Sequence, residues 1–204
     1  MNEVISFLRS RQPMNLLIVI SNIVVFVVLS FMGSTEDVVF MATHGAAVTP
    51  IIVEGKEYYR LFTSMFLHFG AEHLLYNMLM LIFLGDTLEK IVGKIPYLLI
   101  YLAGGMAGNL LSVAVEWRQE MFSVSAGASG AVFAVLGALC FSVILNKGKL
   151  QDYSGRRLLL MAVLSVVQGM TASGINNWAH VGGLIGGFVL AVPFIRRFRL
   201  RTGL

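Results

Sequence analysis

Met14-Asn-Leu-Leu-Ile-Val-Ile-Ser-Asn-Ile-Val-Val-Phe-Val-Val-Leu-Ser-Phe-Met32 runs for nineteen residues without an Asp, Glu, Lys or Arg. A helix needs about 20 mostly apolar residues to cross about 30 Å of hydrocarbon, so this stretch reads as a membrane span. The charge-free run extends from Gln12 to Thr35. It is too long for a cleaved signal segment, and no small-residue cleavage site follows it. The whole chain shares this character. Of its 204 residues, 57% are hydrophobic and 13% charged, against about 45–50% apolar and about 25% charged in a soluble domain. So little charge cannot cover a water-facing surface of this size, which excludes a soluble globular enzyme. So much apolar surface excludes disorder.

Working outward, Ile95 to Val115 is charge-free and opens at Pro96, where a proline at the first helical position loses no hydrogen bond. Met121 to Asn146 is charge-free as well. Leu158 to Ile195 is too long for one crossing, and Thr171-Ala-Ser-Gly-Ile-Asn-Asn177 divides it into two. The least tidy span lies between Glu72 and Val92, apolar at Met78–Leu84 but carrying His73, Asn77, Asp86 and Glu89. The sequence thus predicts an all-α polytopic membrane protein, a single domain over residues 1–204. Its six helices lie near 14–32, 72–92, 96–115, 127–146, 158–171 and 178–195. The loop 33–58 is long enough to contain structure of its own, and Leu61 to Phe69 leads from it into the second helix.

Charge orients these spans. With the N-terminus inside, the inner segments collect twelve of the fifteen Lys and Arg residues, and the outer segments hold Lys56, Arg60 and Arg118. That asymmetry places both termini in the cytoplasm and loop 33–58 outside. The net charge of +4 therefore anchors helix ends, and no basic stripe suggests a nucleic acid. The single cysteine, Cys140, permits no internal disulfide.

Polar groups inside a membrane are costly and point to function. Alternation of the spans makes helices 2, 4 and 6 all start from the outer side. Helix 2 then carries His73 and Asn77 in its first turns, helix 4 starts at Ser125-Ala-Gly-Ala-Ser-Gly130, and helix 6 starts at Asn177-Trp-Ala-His180. Ser129, His180 and the His73/Asn77 pair can meet in one layer. Ser129 lies between Gly127 and Gly130 at a helix N-terminus, where free N–H groups favour an anion. A weakly acidic hydroxyl needs a neighbouring base, and His180 is available. His180, Gly183 and Gly187 share one helix face, and Ser129, Phe133 and Gly137 share another that matches it. His73 and Asn77 share a face and are suited to donate to an oxyanion. Taken alone, Gly-Ala-Ser-Gly is a common cap or packing site, and a lone His often bonds a carbonyl. Their coincidence at one depth argues for chemistry. Asp86, Glu89, His44 and His68 read as structural.

These residues resemble the rhomboid family of intramembrane serine proteases from about Glu57 to Gly187. Gly127-Ala-Ser-Gly130 is similar to the family's Gly-x-Ser-Gly nucleophile motif. Ala179-His180-x-x-Gly183-x-x-x-Gly187 resembles its Ala-His-x-x-Gly-x-x-x-Gly helix, and His73-x-x-x-Asn77 its helix-2 motif. Glu57-Tyr-Tyr-Arg60 resembles Glu-x-Trp-Arg with Tyr59 in place of the tryptophan, and Gly85 and Glu89 match the end of helix 2. Phe133 departs from the tyrosine often found four residues after the serine, so a ring remains but its hydroxyl is lost.

The resemblance implies a rhomboid-like six-helix bundle with Ser129 as nucleophile and His180 as general base. It implies an oxyanion site of His73, Asn77 and the Ser129 N–H, supported by Gly127, Gly130, Phe133, Gly183 and Gly187. The partners would be transmembrane protein substrates within the lipid bilayer, cut near the outer face, with helix 5 as a gate. No cofactor and no metal are expected, since there is no His-Glu-x-x-His and only one cysteine. A bacterial cell-membrane location is expected, and the oligomeric state is not specified. Two rivals are a catalytically inactive rhomboid-like protein that binds client helices, and a small transporter. The latter would show repeats between its halves, which the sequence lacks.

Overall fold

The computed structural model describes residues 11–146, 149–150, 153–154 and 176–202, with the backbone alone at 149–150, 153–154 and 196–202. Helix α1 (Pro13–Met32) opens on a proline. The loop that follows holds α2 (Val38–Thr43), strand β1 (Ala47–Val48) and α3 (Thr49–Val53). Asp37 starts α2 by accepting the Phe40 N–H at 2.7 Å, a side-chain cap for an otherwise orphaned donor. Helix α4 (Arg60–Thr63) runs into a 3₁₀ turn at Ser64–Phe66, and the chain then bends by 91° into the second long segment. Gly70 at φ +75° supplies the left-handed residue that this bend requires.

The second long segment is α5 (Gly70–Met80), a π turn at Leu81–Gly85 and α6 (Asp86–Val92). Next come α7 (Lys94–Gln119), β2 (Val124–Ser125), α8 (Ser129–Leu145), the short hairpin β3 (Lys149–Leu150) and β4 (Tyr153–Ser154), and α9 (Asn177–Thr202). Strand β2 pairs antiparallel with β1, Ala47 opposite Ser125 and Val48 opposite Val124. The loop after α1 is thereby stitched to the segment that leads into α8. The predicted helix at 158–171 lies outside the described residues.

Among the described residues, α1, α7 and the Asn177–Ile195 part of α9 are long and apolar enough to cross a membrane. The bent α4 to α6 segment makes a fourth if it is taken as one span. Helix α8 is shorter, 17 residues, or about 25 Å at 1.5 Å per residue. It is apolar on all sides because it is surrounded on all sides: Val135, Leu136, Ala138 and Leu139 are all buried.

Helices α7, α8 and α9 meet at backbone distance through glycines. A methyl built on Gly183 would overlap the carbonyl oxygen of Gly130, and one on Gly187 the carbonyl of Ala134. Their neighbours Gly182 and Gly186 face the other way, toward Gly108, Ala107 and Gly104 of α7. The doubled glycines thus serve two partners, and α7 and α8 also touch directly, Gly104 against Ala134 and Gly105 against Ala131. Lipid tails are as apolar as leucine, so such close van der Waals contact holds helices together where the hydrophobic effect does not. Gly183 and Gly187 pack on Gly130 and Ala134, and Gly137 of the expected α8 face also lies against α9, at the Leu184 carbonyl.

At the opposite end of α8 from Ser129, a buried polar cluster fixes the start of α1. Asp86 accepts from the Gln12 N–H at 3.3 Å and from Arg11 at 3.1 Å, and Glu89 accepts from the Met14 and Asn15 N–H groups at 3.2 and 2.7 Å. Two carboxylates therefore cap the N-terminus of α1, where orphan donors and the helix dipole favour negative charge. Asn15 donates to Asp86 Oδ1 and to the Leu81 carbonyl, each at 2.8 Å, and accepts from the Tyr97 hydroxyl at 2.6 Å. Leu81 opens the π turn, and its carbonyl receives the Asn15 amide. The structural reading of Asp86 and Glu89 holds, with the α1 backbone as their partner.

Candidate functional site

The segment that carries Ser129 is held from several sides. The Gly127 N–H donates to the Ser64 carbonyl at 2.9 Å, and the Ala128 N–H donates to His68 Nε2 at 3.3 Å. Gly127 sits at φ +139°, and a methyl there would also meet the His73 ring, 2.8 Å from Cε1 and 2.9 Å from Nε2. Glycine is demanded twice, by backbone angle and by the imidazole beside it. Helix α8 then begins at Ser129 with no side chain capping it. Two successive N–H groups are spent on Ser64 and His68. The next, that of Ser129, has no partner among the described residues.

His180 enters from the first turn of α9. Its Nε2 lies 2.9 Å from Ser129 Oγ, hydrogen-bond distance between a hydroxyl and an imidazole. The ring stacks on Phe133 with centroids 4.2 Å apart and planes 6° apart. Its Nδ1 has no hydrogen-bond partner among the described residues. The orientation of the imidazole therefore comes from the aromatic face and from the α9 backbone. Phe133 needs no hydroxyl to give that support. His180 is buried at 6% exposure, whereas Ser129 is half-buried.

The other expected residues divide. His73 is brought to the Gly127 loop, at the same end of the bundle as Ser129 and His180. Asn77 is buried one turn further along α5, where its Nδ2 donates to the His73 carbonyl at 2.9 Å. An amide nitrogen has two hydrogens, so one remains beyond this bond. Gly130 is a different case from Gly127. A methyl there would make only ordinary contacts, 3.5 Å from the Ala179 carbonyl, and the tight approach belongs to Gly183. His44 donates from Nδ1 to the Phe40 carbonyl at 2.7 Å, a local structural bond.

Two residues of the site were not singled out by sequence reasoning. His68, fully buried, accepts the N–H next to Ser129 and packs edge-on against His73 with centroids 5.3 Å apart. Its signal was present as a second histidine five residues before His73. Asn176 caps α9, its Oδ1 accepting the Ala179 N–H at 3.0 Å. An Asn three residues before that N–H is a start signal that the preceding turn masked.

Arg60 fixes the loop beside the site. It is 5% exposed and donates to the carbonyls of Ala42 and Ala46 at 2.6 and 2.9 Å while pairing with Glu57 at 2.7 Å. Tyr59 donates its hydroxyl to the same Glu57 oxygen at 2.6 Å. The Tyr59 hydroxyl and the Arg60 guanidinium hold the Glu57 carboxyl below its usual pKa, and that bond to Glu57 raises the Tyr59 phenol.

The Rhomboid domain family model matches residues 55–197, which include Ser129, His180, His73 and Asn77. The chain belongs to the rhomboid family. This is a family of intramembrane serine proteases, and the chain is a multi-pass membrane member of it. The chain is 34% identical over 191 residues to Rhomboid protease GluP of Bacillus subtilis (strain 168), a match covering 93% of this chain and 36% of that protein. It is 32% identical over 145 residues to Putative rhomboid protease YdcA of the same organism, covering 71% of each. It is 36% identical over 160 residues to RHOMBOID-like protein 1 of Arabidopsis thaliana, covering 75% of this chain and 39% of that one. The chain spans little more than a third of the length of GluP and RHOMBOID-like protein 1.

Proposed function

We propose that this rhomboid is an active intramembrane serine endopeptidase that cleaves transmembrane helices of membrane-protein substrates with a Ser129–His180 dyad. The observation that carries the reading is the 2.9 Å approach of His180 Nε2 to Ser129 Oγ at an uncapped helix N-terminus. In this reading Nε2 takes the hydroxyl proton as Oγ attacks the scissile carbonyl, and a tetrahedral intermediate forms. The carbonyl oxygen becomes an oxyanion held by the unspent Ser129 N–H, His73 and the remaining Asn77 amide hydrogen. Imidazolium then returns the proton to the leaving amine, giving an acyl-enzyme. Water, deprotonated by the same imidazole, releases the carboxylate product and restores Ser129. Gly127 gives the oxyanion donors their loop, and Phe133 orients the base. Gly183 and Gly187 let α9 approach the α8 backbone at Gly130 and Ala134 closely enough for the two side chains to meet.

The same reading includes one domain with six spans, residues 158–171 supplying the fifth. Both termini lie in the cytoplasm of a cell-membrane protein, and the cut falls near the outer face, where a substrate helix unwinds to expose a peptide bond. The test is covalent labelling of Ser129 by a fluorophosphonate probe, together with cleavage of a model transmembrane substrate by the purified protein. Labelling and cleavage that both disappear in Ser129→Ala and in His180→Ala bear the proposal out. A folded protein whose Ser129 does not react would make it an inactive, client-binding member of the family.

A further inference from the structure

We propose that Asn176 is a positioning residue that holds the Ser129 segment in register with the His180 helix, an inference that rests on the serine-protease reading above. Its side chain makes three hydrogen bonds to three elements. Oδ1 accepts the Ala179 N–H of α9 at 3.0 Å. Nδ2 donates to Ser112 Oγ of α7 at 2.5 Å and to Ser125 Oγ of β2 at 3.2 Å. A backbone N–H can only donate, so the amide oxygen must face α9 and the NH₂ must face the two hydroxyls. The side chain is fully engaged. Asn176 lies four residues before His180, and Ser125 lies four residues before Ser129. The tie therefore joins the two chain segments immediately upstream of the reacting pair.

Beyond this tie, the α8–α9 interface combines glycine contacts, Gly183 on the Gly130 carbonyl and Gly187 on that of Ala134, with the Phe133–His180 stack and an edge-on Phe141–Phe188 pair. Helix α7 supplies the fixed reference. Ser112 and Glu116 are four apart on one of its faces. Ser112 receives Asn176, and Glu116 accepts the Ser123 hydroxyl at 2.6 Å and the Thr49 hydroxyl at 2.5 Å. The strand before Ser129 and the start of α9 are thus both referred to α7, and Asn176 links them directly. A misplacement of about 1 Å between catalytic groups costs on the order of 10²-fold in rate, so a lost tie is measurable without unfolding.

The experiment measures the rate of fluorophosphonate labelling of Ser129 in the full chain, alongside thermal melting, for the parent, Asn176→Ser and Ser125→Ala. Serine keeps an N-cap for α9 but cannot reach Ser112 and Ser125 together. Ser125→Ala removes one bond and leaves the α9 cap untouched. Labelling about 10- to 100-fold slower is expected in Asn176→Ser, with a smaller loss in Ser125→Ala. The double variant is expected to be no slower than Asn176→Ser, and kcat toward a transmembrane substrate should fall while KM holds. Parental labelling rates in both single variants, or losses that merely follow the fraction of unfolded protein, would overturn the proposal. A parent that shows no His180-dependent labelling would overturn the protease reading instead, which keeps the two failures apart.

Discussion

Two buried polar clusters sit at opposite ends of this bundle, and they differ in how completely they are satisfied. At the Asn15 end the accounts close. Asn15 spends both amide hydrogens, on Leu81 and Asp86, and its oxygen accepts Tyr97, while Glu89 takes two N–H groups of α1. At the Ser129 end the Ser129 N–H and the His180 Nδ1 are unspent among the described residues. A closed network in a low-dielectric interior rigidifies what it joins. An open one keeps hydrogen-bonding capacity that is not used among the described residues. The comparison sets a closed cluster beside the one to which the proposed chemistry is assigned.

The largest expected effect lies in the open cluster. Ser129→Ala and His180→Ala are each expected to reduce probe labelling or substrate turnover by at least about 10³-fold. Ser129→Ala should melt close to the parent, whereas His180→Ala should melt lower, because it removes the buried ring stacked on Phe133. A large loss of stability in Ser129→Ala would show that its hydroxyl is structural. The closed cluster should behave in the opposite way. Glu89→Ala strands the Met14 and Asn15 N–H groups and is expected to cost about 2–4 kcal/mol of stability, read by denaturant or thermal unfolding. Ser129 labelling per folded molecule should then be nearly unchanged.

The seam between the two clusters gives a narrower test. Gly183→Ala forces a methyl onto the Gly130 carbonyl and is expected to destabilise by about 1–3 kcal/mol. Gly130→Ala meets only ordinary contacts and should melt within about 2 °C of the parent. Equal melting of the two variants would break the packing argument. The smallest effect belongs to Glu57, the exposed partner of buried Arg60. The folded-state pKa of Glu57 is lowered, so its contribution is present above its ordinary value of 4.5 and fades as pH falls through the lowered one. Glu57→Gln should therefore melt slightly below the parent at neutral pH and match it in acid. A gap that persists in acid would rule the carboxylate's charge out as the cause.

Much of the site could be read in the chain because charge is so scarce in it. Against that background Ser129, His180, His73 and Asn77 stand out, and alternation of spans alone assigns them one end. What escaped is instructive. His68 looked like one more structural histidine, and nothing local says that its Nε2 receives the Ala128 N–H sixty residues away. Asn176 looked like turn filler, because a cap is visible in sequence only when its helix start is known. The acidic residues Asp86 and Glu89 were legible as structural. Their partner, a helix N-terminus more than seventy residues earlier, was not.

The sequence by itself determined the membrane class, the position of the apolar segments and the order in which polar residues appear along them. It could do so because hydropathy and 3.6-residue periodicity are local properties of one segment. Only the tertiary structure decided how the helices are rotated against one another. Core-facing and lipid-facing residues are both apolar, so periodicity carries little rotational information in a membrane. That is why the meeting of Gly183 with Gly130, the turn of Gly182 to α7 and the bonds of Asn176 to Ser112, Ser125 and Ala179 could not be read from periodicity.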